Sequence, residues 1–393
     1  MSGSTGRFAT ARVATAQVSL TADLHFPARV LFGRGVLDRV GPLARGWSEH
    51  ALVVTDRGMP ATGLVDRVTD GLRAAGVEPI VYDGVTPNPT IAQVEAGLEA
   101  GAGRGIGVIV SVGGGSAHDC AKTIALVAAN GGEVRDYEGF DRSPHRALPC
   151  IAVNTTSGSG ADVSRYAVIT DPGRSLKMII ADAHLTPRLA VNDPLTTVGL
   201  PSAVTMATGL DALTHAIEAY VSTAASQVTD LFALRAIELA VADLPRAVRD
   251  GADLEARDGM MLAALLAGLA IDSASVGAVH ALAHQLGAVY DLPHGVCNGI
   301  LLPVVCEFNQ PASTERYARV AAIVGGGRGG RPLRALLRAL GDRVGLPRGL
   351  AELGVERSAL PDLAARALDD MCMQTNPRPM RHADIVACYE RAL

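Results

Sequence analysis

The sequence predicts an α/β N-terminal domain built on a largely parallel sheet, followed by an all-helical C-terminal domain. Three observations lead there. At 393 residues the chain exceeds what one hydrophobic core usually organises. Short apolar, β-branched runs alternate with segments of helical spacing up to about residue 193, the pattern of a layered α/β unit. From about Pro194 that alternation largely disappears, and helical spacing rich in alanine and leucine continues to the end. The division expected is a tail over 1–24, the α/β domain over 25–193 and the helical domain over 194–393.

The first stretch carries Arg7 and Arg12 and no acid before Asp23. Such a composition suits a transit peptide, but with no apolar core it is no signal peptide, and a flexible tail is the expectation. "ALVVTD" (51–56) is a buried-strand pattern that ends in an acid. "GLVDRVTDGLRAAG" then has helical spacing and a glycine stop, and "EPIVYDGV" is a second strand. "TPNPTIAQVEAGLEAGAG" turns and enters a helix. "GVIVSV" (107–112) is a third strand, followed at once by "GGGSAHDCAKTIALVAANGG". "LPCIAVN" is a further strand that breaks into small hydroxyl residues and glycines, where a ligand can approach the backbone closely. Two short strands follow within "SLKMIIADAHLTPRLAVNDP", with Lys177 in the first.

Composition narrows the function. The chain is 48% hydrophobic and 19% charged with a net charge of −5, which gives no basic footprint for nucleic acid. The longest apolar run, Met260 to Ile271, falls short of the roughly 20 residues that span a bilayer and reads as a buried helix. Six cysteines (120, 150, 297, 306, 372 and 388) contain no C-x-x-C pair, so a reducing cytoplasm is expected. Of 35 lysines and arginines only Lys122 and Lys177 are lysine. Those two positions therefore stand out as candidates for a compact ammonium.

The loop Gly114, Gly115, Ser116 follows a strand and opens a helix, so amide N–H groups and the helix dipole face one point and suit a phosphate. Ser116 and Asp119 have the S-x-x-D spacing of an N-terminal cap. The loop is not the usual G-x-G-x-x-G fingerprint. "GAGRGIG" (101–107) lies after a helix and before a strand, the wrong order for such a loop. "GGGRGGR" (325–331) has no strand before it and reads as a solvated connection. Asp56, at a strand's carboxyl end, can accept from ribose hydroxyls and would repel a 2′-phosphate, favouring NAD over NADP.

The densest chemistry lies between residues 211 and 294. Asp211 and His215 are four apart in a helical segment, as are His280 and His284, and His294 follows just beyond a proline. Residues at i and i+4 share a helix face. A lone histidine is usually a hydrogen-bonded core residue, but two such pairs with a third histidine point to a metal site that needs about four ligands. Spacing leaves all five as candidates. Ala281 stands where H-E-x-x-H would place a glutamate, so the zinc-protease motif is incomplete. Glu218, seven after Asp211, shares its helix face and reads equally as support for a ligand or as a solvated or capping acid.

These residues resemble the iron-containing (group III) alcohol dehydrogenases, within them the propanediol and NAD-linked methanol dehydrogenase type. The matching stretches are "TPNPT", "GGGSAHDCAK", "NTTSGSG", "TGLDALTHAIEAYVS", "AHQLGAVYDLPHGVCN" and "QTNPR", in family order from about residue 25 onward. The resemblance implies a dinucleotide-binding α/β domain, a helical metal-binding domain and a cleft between them. It implies Asp211, His215, His280 and His294 as ligands, and His284 as a residue that contacts the nicotinamide side or relays a proton. Asp56, Asn88, Gly114, Gly115, Ser116, Asp119, Thr155, Thr156, Ser159 and Lys177 fall where the family holds its cofactor. The family often has "TAGTGSE" where this chain has "TSGSGAD" (156–162), and Arg165-Tyr166 also varies a contact region.

The activity implied is reversible hydride transfer between a primary alcohol or diol and its aldehyde, with NAD and a divalent ion, Fe(II) or Zn(II). The ion acts as a Lewis acid on the substrate oxygen. A homo-oligomer is also implied. Two other chemistries draw on parts of the same residue set: a lyase or phosphate-ester dehydrogenase of the dehydroquinate synthase-like superfamily, and a metal hydrolase that uses no dinucleotide.

Overall fold

The computed structural model describes residues 24–26, 29–174, 176–327 and 330–393. The expected N-terminal tail lies, but for Leu24, outside them. In chain order the strands are β1 (Val30–Phe32), β2 (His50–Asp56), β3 (Glu78–Val85), β4 (Val108–Gly113), β5 (Gly139–Phe140), β6 (Cys150–Asn154), β7 (Tyr166–Asp171), β8 (Leu176–Ala181) and β9 (Leu189–Asn192). Among them lie helices α1 (Val40–Arg45), α2 (Leu64–Ala74), α3 (Ile91–Gly101) and α4 (Gly115–Asn130). A helical array follows: α5 (Ser202–Val221), α6 (Gln227–Arg249), α7 (Leu254–Ala274), α8 (Ala278–Tyr290) and α9 (His294–Asn309). It ends with α10 (Thr314–Val324), α11 (Leu333–Val344), α12 (Leu360–Leu368) and α13 (His382–Ala392).

The main sheet has the order β1-β9-β6-β4-β2-β3, and every pair in it is parallel. Alternate residues of its strands feed two cores, as a sheet covered on both faces requires. Leu52, Val54 and Ile109 pack with Val94 of α3 and Ile124 of α4. Ala51, Val53, Val108 and Val110 pack with Val40 of α1 and with Val65, Val68 and Leu72 of α2. From β2 the chain steps outward to β3, then crosses back to lay β4 on the other side of β2. The switch point therefore lies between the carboxyl ends of β2 and β4, where open parallel sheets form their ligand crevice.

Three strands escape the sequence pattern. β1 has only three residues and β5 two. β7 pairs antiparallel with β8 in a separate three-stranded sheet, and its sequence continues the hydroxyl- and glycine-rich segment without a break. The expected cap is also corrected. Helix α4 begins at Gly115 with Gly114 as its N-cap and no side-chain cap bond, so Ser116 already lies inside the helix. The Asp119 carboxylate accepts instead from the Val168 amide at 3.1 Å, tying α4 to β7. Without a side-chain cap, the first-turn amides of α4 are left for another acceptor.

Alanine dominates the helical core: Ala216, Ala219, Ala233, Ala236, Ala240, Ala263, Ala267 and Ala270 are all buried there. Small side chains let α5, α6 and α7 approach closely. Helices α7 and α8 turn through 103° at a short break, where Ser275 has φ 59°. No single helix among the described residues is long and apolar enough to cross a membrane. All six cysteines are free and buried.

The segment after β6 threads between the two halves because its glycines allow it. A Cβ on Gly158 would stand 2.7 Å from Thr208 Cβ, on α5, and one on Gly160 would stand 2.5 Å from the Cα of Gly268, on α7. Gly160 also holds φ +64°, a left-handed conformation costly for any residue with a Cβ. Replacing Gly160 with Ala is expected to destabilise the protein by about 2–4 kcal/mol, from backbone conformation and overpacking together. Urea unfolding of the full chain checks this; an unchanged midpoint would refute the close approach of Gly160 to Gly268.

Candidate metal centre and cofactor cleft

Helix α5 presents Asp211, His215 and Glu218 on one buried face, at 6%, 5% and 4% exposure. The turn between α7 and α8 aims His280 at that face, and His294 arrives as the first residue of α9. Asp211 Oδ1 lies 3.9 Å from His215 Nε2, 3.6 Å from His280 Nε2 and 3.5 Å from His294 Nε2. Four ligands about 2.1 Å from one ion in tetrahedral array stand about 3.4 Å apart, and the three distances to Asp211 fall near that value. Asp211, His215 and His280 offer atoms all within 4.8 Å of one another, while His294 joins them through Asp211. Asn298 Nδ2 lies 3.2 and 3.1 Å from the Nε2 atoms of His280 and His294. His294 is the most open, its side chain 29% exposed, and marks the mouth of the site.

Electrostatics agree with that fit. Burial works against the Asp211 carboxylate, yet His215, His294 and His280 together hold it well below the usual range. Burial pushes His215 down to about 4 and His294 well below its ordinary value, so both are neutral with a lone pair free, as metal ligation requires. His280 differs. Burial again disfavours its charge, but Glu218 and Asp211 outweigh this and push it up to about 9. In the absence of a cation, a proton on His280 balances the buried carboxylates.

Glu218 is neither solvated nor only a cap. Its Oε1 accepts from the Val279 amide at 2.7 Å, at the start of α8, and its Oε2 lies 2.5 Å from His280 Nδ1. This carboxylate–histidine contact turns Nε2 toward the centre. Asn298, fully buried one helical turn after His294, donates from Nδ2 to Asp211 Oδ1 at 2.8 Å. The sequence reading missed it, since Asn at i+4 from a histidine carries no signal of its own.

His284 separates from the other histidines. Its ring stacks on His294 with centroids 5.4 Å apart, but its Nδ1 lies 2.9 Å from Asp370 Oδ2. Asp370, 86 residues further along the chain, was also missed, because no local spacing connects the two.

The expected cofactor residues divide into two groups. Gly114 and Gly115 pack against the 154–160 segment so closely that a Cβ on either would stand 3.0 Å from Thr156 Oγ1 and 2.9 Å from Ser159 Oγ. Asp56 joins them, its Oδ2 3.6 Å from the Cβ position of Gly113. Its Oδ1 accepts from the Gly58 and Met59 amides at 2.9 and 3.2 Å, which fixes the carboxylate at the switch point. Lys177 Nζ donates to Asn88 Oδ1 at 2.8 Å, and Asn88 Nδ2 donates to Asp291 Oδ1 at 2.6 Å. Asn88 (φ 56°) and Asp291 (φ 52°) both hold left-handed turns, so this link joins a turn of the α/β half to the end of α8. Burial lowers the Lys177 ammonium.

The second group points elsewhere. Thr155 is buried with its hydroxyl 3.9 Å from Met59 Sδ. Asp119 is spent on β7 and on Lys122, whose Nζ is 3.2 Å away.

Residues 27–194 match the family profile described as iron-containing alcohol dehydrogenase, and residues 205–393 match the C-terminal profile of the Fe-containing alcohol dehydrogenase family. Alcohol dehydrogenase 4 of Saccharomyces cerevisiae is 44% identical over 380 residues, which cover 95% of this chain and 99% of that protein. The NAD-dependent methanol dehydrogenase of Bacillus methanolicus is 41% identical over 379 residues, 94% of this chain and 100% of that protein. Among solved structures, 1,3-propanediol oxidoreductase superposes with a TM-score of 0.92 at 39% identity, covering 95% of this chain and all of that one.

The Glu218 contact generates a direct test. In metal-free protein the His280 imidazole is expected to titrate near pH 9, and in Glu218→Gln to fall toward or below the ordinary value of about 6.5. Imidazole NMR chemical shifts against pH would report this, and an unchanged titration would refute the assignment.

Proposed function

The chain belongs to the iron-containing alcohol dehydrogenase family, and from that premise we propose that it interconverts a primary alcohol or diol and its aldehyde with NAD(H). It is an oxidoreductase acting on alcohols and aldehydes. The observation that carries the reading is that three imidazoles lie 3.5–3.9 Å from the Asp211 carboxylate. Asp211, His215, His280 and His294 would hold the metal. Fe(II) is the proposed occupant, consistent with the family, and the same N₃O donor set accepts Zn(II). The lyase, phosphate-ester dehydrogenase and hydrolase readings have no support among these relatives.

When bound, the metal supplies Lewis acidity toward the substrate oxygen and the nicotinamide accepts or returns the hydride. The chain's own residues prepare the site for both. Glu218 fixes His280 with its Nε2 inward, and Asn298 holds the Asp211 carboxylate in place. The first-turn amides of α4, with Gly114, Gly115 and Ser116, offer donors to a pyrophosphate. Thr156 and Ser159 line the other side of that loop, and Asp56 would accept from the hydroxyls of the adenosine ribose. Asn88 and Lys177, bonded to each other, would serve the nicotinamide ribose. Thr155 and Asp119 support the loop from behind, Asp119 through its bonds to Val168 and Lys122. His284, beside His294 and a tenth exposed, moves the hydroxyl proton between substrate and solvent.

The reading extends to a homo-oligomer in a reducing cytoplasm, divided into units over 25–193 and 194–393. Six free, buried cysteines fit that compartment. Leu231, 71% exposed, beside Phe232, whose ring meets Phe26, supplies apolar surface for self-association. No nucleic acid or membrane takes part in this reading.

Asp211→Ala is expected to lose bound metal and to lower turnover by more than about 100-fold, beyond the 10–100-fold typical of outer supporting residues, while still binding NADH. Full metal content with full activity would overturn the ligand assignment. The wild type is expected to show a higher kcat/KM with NAD than with NADP. Asp56→Gly should narrow that ratio about tenfold, equivalent to about 1.4 kcal/mol of relieved repulsion; a native preference for NADP would refute the role of Asp56.

A further inference from the structure

We propose that Asp370 is the positioning residue for His284, fixing the tautomer and orientation in which that imidazole exchanges protons with the substrate. The inference rests on the reading of His284 given above and adds a residue to it. Asp370 lies between α12 and α13, far along the chain, and precedes a short helical turn, Met371–Thr375.

Its carboxylate is fixed at three points. Oδ1 accepts from the Cys372 amide at 2.9 Å, the ordinary duty of an N-cap. Oδ2 faces the other way and accepts from His284 Nδ1 at 2.9 Å and from Gln285 Nε2 at 3.3 Å. Gln285 is itself held by donating to the Ala281 carbonyl at 3.1 Å. The Asp370 side chain is 8% exposed.

A cap alone does not explain this arrangement. Serine or threonine caps a turn without burying a charge, whereas a buried carboxylate is costly unless its second oxygen is also engaged. Here that second oxygen is aimed at His284. The same histidine and aspartate, with Cys372, bring donor atoms within 4.8 Å of one another, a spacing that would also suit a small metal site. The Nδ1–H to Oδ2 hydrogen bond already uses two of those three donors, so a dyad accounts for the geometry without an ion.

The consequence for His284 follows from what a carboxylate can do. An ionised carboxylate only accepts, so Nδ1 carries the hydrogen and Nε2 keeps its lone pair. Among the described residues Nε2 has no hydrogen-bond partner, and the ring lies against His294 at the mouth of the metal set. In alcohol oxidation the substrate O–H breaks as Nε2–H forms. The imidazolium, stabilised by Asp370, then returns that proton to water, and the hydride leaves separately for the nicotinamide dinucleotide. In aldehyde reduction the proton travels in the opposite direction.

A double-mutant cycle on the metal-loaded, full-length enzyme tests this. It uses NAD and whichever of methanol, ethanol and 1,3-propanediol turns over fastest. Asp370→Asn, which offers Nδ1 a donor and so favours the wrong tautomer, is expected to lower kcat about 10–100-fold. The alcohol KM, NADH affinity and metal content should stay within about twofold. Asp370→Ser, which keeps a cap for the turn but loses the contact with His284, should show the same loss. In the background of His284→Ala, neither substitution should slow the enzyme further, because coupled residues are non-additive. A further loss there, or undiminished kcat in the single Asp370 variants, would overturn the role of Asp370 while leaving His284 in place. If His284→Ala alone turned over at the native rate, the reading of His284 would fail and the proposal with it.

Discussion

The contact from Glu218 to the start of α8 is the constraint on which the metal centre depends. One carboxylate satisfies the Val279 amide, an orphan donor at a helix N-terminus, and also holds His280 by Nδ1. Without the first bond the helix end would be buried unsatisfied; without the second, His280 would have no fixed orientation. Because both oxygens serve, the angle of α8 against α5 and the direction of a ligand are set by the same side chain. The 103° turn between α7 and α8 makes this possible, since a straight continuation of α7 would carry His280 away from Asp211.

Small residues also bring the two halves into contact. The parallel sheet reverses its winding between β2 and β4, which leaves Asp56 and the glycine loop side by side at an open crevice. The segment that follows β6 then runs from that loop to α5 and α7, and it passes only because Gly158 and Gly160 bring backbone against Thr208 and Gly268. The glycine loop and helix α5 are therefore joined by one short stretch, so a change in its packing reaches both. The Lys177–Asn88–Asp291 link is a second connection. Two links thus tie the α/β half to the helices, and a fixed separation between groups is what bringing two reactants together requires.

How much of this was legible in the sequence depended on whether the signal was local. The alternation that marks β2, β3, β4 and their helices is a property of neighbouring residues, and so is the i,i+4 spacing that put Asp211 with His215. β7 was hidden because its partner β8 supplies its pairing from outside, while its own sequence runs on from a glycine-rich loop. The cap assigned to Ser116 failed because glycine at 114 lets α4 start earlier, and Asp119 is then drawn to β7. Spacing could not separate His284 from His280, since helix periodicity treats them alike. Each has a carboxylate at Nδ1, Glu218 in one case and Asp370 in the other, and both partners lie more than 60 residues away. What differs is that His280 Nε2 lies 3.6 Å from Asp211 Oδ1, a contact between helices that spacing along one helix does not show.

The scarcity of lysine proves informative for a related reason. Lys122 is fully buried, and its ammonium meets the Ser164 and Tyr166 carbonyls and the Asp119 carboxylate around a single point. Three acceptors converging on one nitrogen match the three donors of an ammonium, whereas a planar guanidinium spreads its donors over a wider fork. Lys177 occupies a narrow space too: a Cβ on Gly287 would stand 2.7 Å from its Nζ. An arginine there would need room that α8 does not leave. In a chain that otherwise uses arginine, both lysines stand where acceptors or backbone close in on a small cation. Lys122 pins β7 to α4, and β7 pairs with the strand that carries Lys177. The buried lysine thereby helps to place the one that bonds Asn88.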